Sequence, residues 1–122
     1  MARILIVDDE RANRLLVKTV LEHGGHSVIE ASDGAQALEI SGTEALDLLV
    51  ADLSLPGMSG TELVRALRAR EKTKSLAIAL YTATAINDAM RDFMELYAIR
   101  HVVPKPCEPQ DLLRAVEAAL PR

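Results

Sequence analysis

At 122 residues, with hydrophobic residues at 49% and charged residues at 26%, the chain has the length and balance of one globular domain, which excludes disordered, collagen-like and disulfide-dense classes. Fourteen Lys and Arg against eighteen Asp and Glu give a formal charge of −4 with no basic block, so no nucleic-acid-binding face is indicated. The lone Cys107 cannot pair within the chain, and no apolar run approaches the roughly 20 residues that cross a bilayer; no secretion signal precedes Arg3, so the expectation is a cytoplasmic protein without a membrane span.

Arg3-Ile4-Leu5-Ile6-Val7 is a short continuous aliphatic run that stops at Asp8-Asp9, as suits a strand buried on both faces. From Glu10 to His23 the period becomes helical, with Ala12, Leu15, Leu16, Val20 and Leu21 forming an apolar stripe opposite Arg11, Arg14, Lys18 and Glu22, before Gly24-Gly25 supplies a stop. The alternation continues: a strand over Ser27 to Ala31, a helix over Gly34 to Ile40, a strand over Leu46 to Ala51 and a helix over Gly60 to Ala69. Ser59-Gly60-Thr61-Glu62 reads as a capping box opening that third helix, with Leu63, Val64 and Leu67 as its apolar stripe. A strand over Leu76 to Tyr81 precedes a helix in which Ile86, Met90, Phe93, Met94 and Tyr97 share a face. A strand over Ile99 to Val103 and a closing helix marked by Leu112, Leu113, Val116 and Leu120 complete residues 1–122 as one domain.

Five strands, each followed by a helix, require right-handed crossovers and a mainly parallel sheet between helical layers, a doubly wound α/β fold. Ligands of such folds sit beyond the carboxyl ends of the strands. Those ends carry Asp8 and Asp9 after the first strand, Asp52 after the third, Thr82 after the fourth and Lys105 after the fifth. In the flavodoxin-like order 2-1-3-4-5 the first and third strands are neighbours, so three carboxylates converge and a cation must offset their repulsion. Carboxylates with water and a carbonyl are hard ligands suited to Mg²⁺ shared with a phosphate, and zinc ligands are missing there. A carboxylate beside such an ion can attack phosphorus, with the Lys105 ammonium and the Thr82 hydroxyl available to phosphoryl oxygens.

With these residues in place, the chain resembles the receiver domain of the bacterial two-component response regulator family from Ile4 through Leu120. The matching motifs are Val7-Asp8-Asp9, Asp52-Leu53-Ser54-Leu55-Pro56-Gly57-Met58-Ser59-Gly60, Thr82-Ala83 and Lys105-Pro106. The resemblance implies that Asp52 accepts a phosphoryl group, that Asp8, Asp9, Asp52 and the Ser54 carbonyl organise Mg²⁺, and that Thr82 and Lys105 bind phosphoryl oxygens. It also implies a cis bond before Pro106, a histidine kinase or His-containing phosphotransfer protein as donor, docking near the first helix, and output through protein contacts on the face of the fourth helix, fifth strand and fifth helix. Self-catalysed phosphorylation and dephosphorylation are its only implied chemistry, so it is not expected to be an enzyme acting on other substrates. With only Pro121-Arg122 after Leu120, output is expected to come from a downstream partner, whether the chain stands alone or is a module of a larger regulator.

Three departures bear on output. Val102 stands where the family often has an inward-turning aromatic, Ala98-Ile99 replace a common Gly-Ala pair, and Cys107 stands where an aromatic is frequent. Ser54 and Thr84 occupy the two positions that tune phosphoryl lifetime in the family. These departures motivate a rival reading, a receiver-like scaffold acting without phosphorylation. A phosphatase would need turnover of an external substrate, and Asp8-Asp9 would repel the phosphate of a flavin. Taken singly, Asp9 could be a helix cap, Lys105 a solvated lysine and Thr82 a packing residue; their joint placement at the strand ends favours the functional reading. His23, His26 and His101 share no ligand spacing and are expected to be solvated or capping. Met90, Phe93, Met94 and Tyr97 are expected to pack in the core, and Cys107 to be inert.

Overall fold

The computed structural model of the protein describes residues 1–83 and 85–121. In chain order the elements are β1 (Arg3–Val7), α1 (Arg11–His23), β2 (Ser27–Ala31), α2 (Gly34–Thr43), β3 (Leu48–Ala51), α3 (Gly60–Arg68), β4 (Ala77–Thr82), α4 (Asp88–Leu96), β5 (His101–Pro104) and α5 (Pro109–Ala119). The strands form one sheet in the order β2-β1-β3-β4-β5, and every neighbouring pair is parallel. This is the doubly wound arrangement expected from the alternation of periods.

Side-chain alternation along the central strands divides the core in two. Ile4, Ile6, Leu48, Val50, Ala79, Tyr81 and Val103 face Val17 and Leu21 of α1 and Leu112, Val116 and Ala119 of α5. Leu5, Val7, Leu49, Ala51, Ile78 and Leu80 face Ala37 and Leu38 of α2 and Leu63, Val64 and Leu67 of α3, with Met90, Phe93, Met94 and Tyr97 of the α4 region packed at the margin. Full burial of a Leu or Ile removes enough apolar surface to contribute about 1.5–3 kcal/mol. The unbroken aliphatic runs of β1 and β3 are thus explained by helices on both faces.

Helix ends follow their local chemistry. Ser59 and Glu62 make the reciprocal capping box that opens α3. Asp33 accepts from the Gln36 N–H and Asn87 from the Met90 N–H at the starts of α2 and α4. After α1, Gly25 takes a left-handed φ of 91° while its own N–H reaches the Glu22 carbonyl and that of His26 reaches Leu21, a Schellman closure that explains the second glycine of the pair.

Several expectations are corrected. The α1 stripe has the right period but the wrong phase: Leu15 and Leu16 are 57% and 43% exposed, whereas Val17, unassigned in the sequence reading, is fully buried with Leu21. At the start of α1 the side turned toward β2 is taken by Arg14, whose guanidinium reaches Glu30 and the Asp8 carbonyl. Ile86 precedes α4 instead of lying within it, Leu46 precedes β3, Leu76 precedes β4, and Ile99 precedes β5 although it is buried. In the other direction α2 runs on to Thr43, and Leu120 caps α5. His26 is not solvated: its Nδ1 accepts the Ala2 N–H at 3.2 Å and its Nε2 meets Glu117 Oε2 at 3.0 Å, tying the residue before β1 to α5. No helix among the described residues is long and apolar enough to cross a membrane.

Candidate functional site

The parallel register brings the carboxyl ends of the strands to one edge, pairing Val7 with Ala31 and Ala51, Ala51 with Leu80, and Thr82 with Pro104. The polar residues that end each aliphatic run therefore meet there. The Asp52 N–H continues the ladder to the Val7 carbonyl at 3.0 Å, and the Lys105 N–H continues it to the Thr82 carbonyl at 3.0 Å. Asp8, Asp9, Asp52, Thr82 and Lys105 thus leave the sheet as neighbours.

Asp8 is fully buried and Asp52 is 8% exposed, whereas Asp9 lies on the exposed rim. The Lys105 ammonium bridges the two buried carboxylates, donating to Asp8 Oδ2 at 2.7 Å and to Asp52 Oδ2 at 2.8 Å. Their other oxygens are held by the backbone: Asp8 Oδ1 accepts the Glu10 N–H at 2.9 Å, and Asp52 Oδ1 accepts the Ser54 N–H at 3.1 Å. Burial works against the Lys105 charge, but the hydrogen bonds it donates to Asp52 and Asp8, with their negative charge, outweigh it and raise its pKa above the ordinary lysine value. Lys105 is therefore a fixed cation, and the peptide joining it to Pro106 is cis, as the resemblance implies.

Asp8, Asp9 and Asp52 each offer a carboxylate oxygen within 4.8 Å of the others. Three carboxylates against one ammonium leave a formal charge of −2 in a set of hard oxygen donors. That set fits a divalent cation of the Mg²⁺ type better than zinc or copper. The carboxylates have the geometry to take such an ion, and Asp52 has the geometry of an oriented oxygen nucleophile.

Gly60 contributes by what it lacks. A Cβ there would sit 2.5 Å from the Asp52 carbonyl oxygen and 2.7 Å from the Leu53 Cα, so only glycine lets the first turn of α3 pack on the strand end that presents Asp52. Ser54 is exposed two residues beyond Asp52 and anchors it through its N–H. Thr82 is 3% exposed at the end of β4, between the strands of Asp52 and Lys105. Val102 faces the margin of the α2–α3 core, on the opposite side of the sheet from the cluster that holds Val103. Thr84, expected to influence phosphoryl lifetime, lies outside the described residues.

Two neighbours of the site escaped the sequence reading. Arg14 Nη1 donates to the Asp8 carbonyl at 2.7 Å while Nε donates to Glu30 at 3.3 Å, bracing the end of β1 against β2. The Tyr81 ring lies under Lys105, with Nζ 4.7 Å from its centroid. A lone aromatic directly before Thr82 in an otherwise aliphatic strand was the available signal.

This fold and acidic edge define a class, and the family model of the response regulator receiver domain matches residues 4–117: the chain belongs to that family, the phosphorelay receivers of two-component signalling. Among similar proteins, the chemotaxis protein CheY of Pseudomonas aeruginosa is 36% identical over 121 residues, covering 98% of this chain and 97% of that protein. Sporulation initiation phosphotransferase F of Bacillus subtilis is 32% identical over 119 residues, covering 98% and 94%. The solved structure of Vibrio cholerae chemotaxis protein CheY4 superposes with a TM-score of 0.91 at 28% identity, covering 98% of this chain and 99% of that one.

Proposed function

We propose that this chain is a cytoplasmic phosphorylation-controlled switch, one receiver unit over residues 1–122, in which Asp52 accepts a phosphoryl group from a phosphohistidine of a histidine kinase or His-containing phosphotransfer protein. The observation that carries this reading is the Lys105 ammonium bridging Asp8 and Asp52 beside a third carboxylate at the strand ends. In the transfer, a carboxylate oxygen of Asp52 bonds to phosphorus as the phosphorus–nitrogen bond of the phosphohistidine breaks. The leaving imidazole keeps the bonding pair and takes up a proton, and an acyl phosphate remains on Asp52.

The bonds from Ser54 and Lys105 hold the Asp52 carboxylate in one orientation, so little motion is needed before attack. Lys105 is placed to follow the new charge from carboxylate to phosphoryl oxygen, and the Thr82 hydroxyl to donate to a second phosphoryl oxygen. Asp8, Asp9, Asp52 and the Ser54 carbonyl would hold Mg²⁺, which when bound neutralises charge on the phosphoryl oxygens. Hydrolysis of the acyl phosphate resets the switch, so the chain catalyses only its own phosphorylation and dephosphorylation. Output passes to a downstream effector through protein contacts, with no direct role for nucleic acid or membrane.

Intact mass spectrometry after incubation with phosphoramidate or acetyl phosphate, with and without Mg²⁺, tests the proposal on the parent and on Asp52→Asn. The expected result is one Mg²⁺-dependent phosphoryl adduct on the parent and none on the variant. A parent that binds Mg²⁺, hydrolyses slowly enough for an adduct to be seen and yet shows none would overturn the reading in favour of a scaffold that works without phosphorylation.

A further inference from the structure

Lys105 follows β5, but the carboxylates it bonds follow β1 and β3, so its side chain crosses the end of β4 to reach them. A lysine has many rotamers; its bonds to Asp8 and Asp52 favour those that cross, and a fixed surface under the ammonium narrows them further. The structure supplies a selector: Tyr81, the penultimate residue of β4, places its ring 4.7 Å from the ammonium nitrogen. Tyr81 is 3% exposed and is packed in the same cluster as Val103, Leu112 and Val116, so the ring is a fixed surface.

We propose that Tyr81 is a positioning residue, whose ring face holds the Lys105 ammonium across Asp8 and Asp52 and thereby sets the readiness of Asp52 for phosphoryl transfer. The inference rests on the reading of Asp52 as phosphoacceptor. A cation within about 6 Å of a ring centroid is attracted by the negative face of the aromatic quadrupole, and the attraction strengthens when both partners are shielded from water. The Lys105 side chain is 13% exposed, which satisfies that condition. Burial pushes the Tyr81 hydroxyl above its ordinary pKa, with the Lys105 charge opposing, so the ring beneath the ammonium is a neutral phenol. Strand alternation puts Tyr81 on the α1–α5 face and Leu80 on the other, so no other β4 side chain on the Tyr81 face stands so near the strand end.

The test keeps the shape of the ring and changes its charge distribution. Tyr81→Phe is the reference, and mono-, di- and trifluorophenylalanine incorporated at the same position progressively remove the negative ring face without opening a cavity. Two quantities are read on the full chain: the phosphoramidate phosphorylation rate at saturating Mg²⁺, and the hydrogen-exchange rate of the Lys105 ammonium by ¹⁵N NMR without Mg²⁺. The expected result is a graded slowing that reaches about tenfold at trifluorophenylalanine, the rate equivalent of losing one shielded cation–π contact. Ammonium exchange should accelerate in the same order, with unchanged melting temperature across the series. A flat rate and flat exchange across the series overturn the proposal. If the parent forms no acyl phosphate at all, the phosphoacceptor reading falls, and ammonium exchange alone then decides whether Tyr81 positions Lys105: graded exchange upholds it and flat exchange rejects it.

Discussion

Ala98 adopts a φ of 57°, the left-handed region that costs an L-residue with a Cβ roughly 1–2 kcal/mol. It does so because α4 ends in a Schellman closure, with the Ile99 N–H reaching the Met94 carbonyl at 2.8 Å and the Ala98 N–H reaching Glu95 at 3.3 Å. Glycine would take this conformation without that cost, and the chain carries alanine instead. Ala98→Gly is expected to raise unfolding stability by about 0.5–1 kcal/mol, measured by urea denaturation, since relief of the steric cost exceeds the added chain entropy of glycine. Gly60 is the opposite case. Gly60→Ala forces a Cβ against the Asp52 and Leu53 backbone, and is expected to cost about 2 kcal/mol and to slow Asp52 phosphorylation in a stopped-time mass assay. Neither position could be weighed from residue type alone, because an alanine or a glycine carries no sign of its φ or of what approaches it.

The five helices are not held alike. α1, α2, α3 and α5 each bury residues completely, but α4 buries none and rests on partly covered Met90, Phe93 and Met94. Two cations of α3 also hold it: the Arg65 guanidinium lies 5.6 Å from the Phe93 ring centroid, and Arg68 Nε donates to the Tyr97 carbonyl at 2.9 Å. Arg68 also caps the Leu76 carbonyl at 2.6 Å, fastening the exit of α4 to the entry of β4. Few buried contacts mean a low cost of local opening. Native-state hydrogen exchange is expected to show the amides of α4 exchanging on the order of tenfold faster or more than those of α3 and α5, with protection rising toward Tyr97. At this scale the sequence was informative about period and caps and poor about phase. The capping box at Ser59 and Glu62 was legible because both partners lie within one turn. The misphased stripe of α1 was not, since Leu15 and Val17 are equally apolar and only the packing of α1 against the sheet and α5 decides which of them turns inward.

Across the whole molecule, the sheet concentrates negative charge at one edge and balances it incompletely. Asp8, Asp9 and Asp52 lie within 4.8 Å of one another with Lys105 between two of them. Folding therefore works against repulsion that a bound cation would relieve. Mg²⁺ is expected to raise the melting temperature of the parent in a concentration-dependent way, by linkage of binding to the folded state. Asp9→Asn, which removes the rim carboxylate, is expected to stabilise the Mg²⁺-free protein by about 1 kcal/mol and to weaken its response to Mg²⁺. Calorimetry with and without Mg²⁺ checks both; an equal response in parent and variant would remove Asp9 from the ion's ligands.

The alternation of strand and helix, the parallel sheet and the residues delivered to its carboxyl edge were legible along the chain. Those follow from local periodicity, from the handedness of crossovers and from where each aliphatic run ends. That Tyr81 underlies Lys105, that Arg14 braces Asp8 and that His26 ties Ala2 to Glu117 emerges from the folded arrangement alone. Each of these joins residues from different elements, and their meeting depends on strand register and helix rotation, which no local pattern encodes.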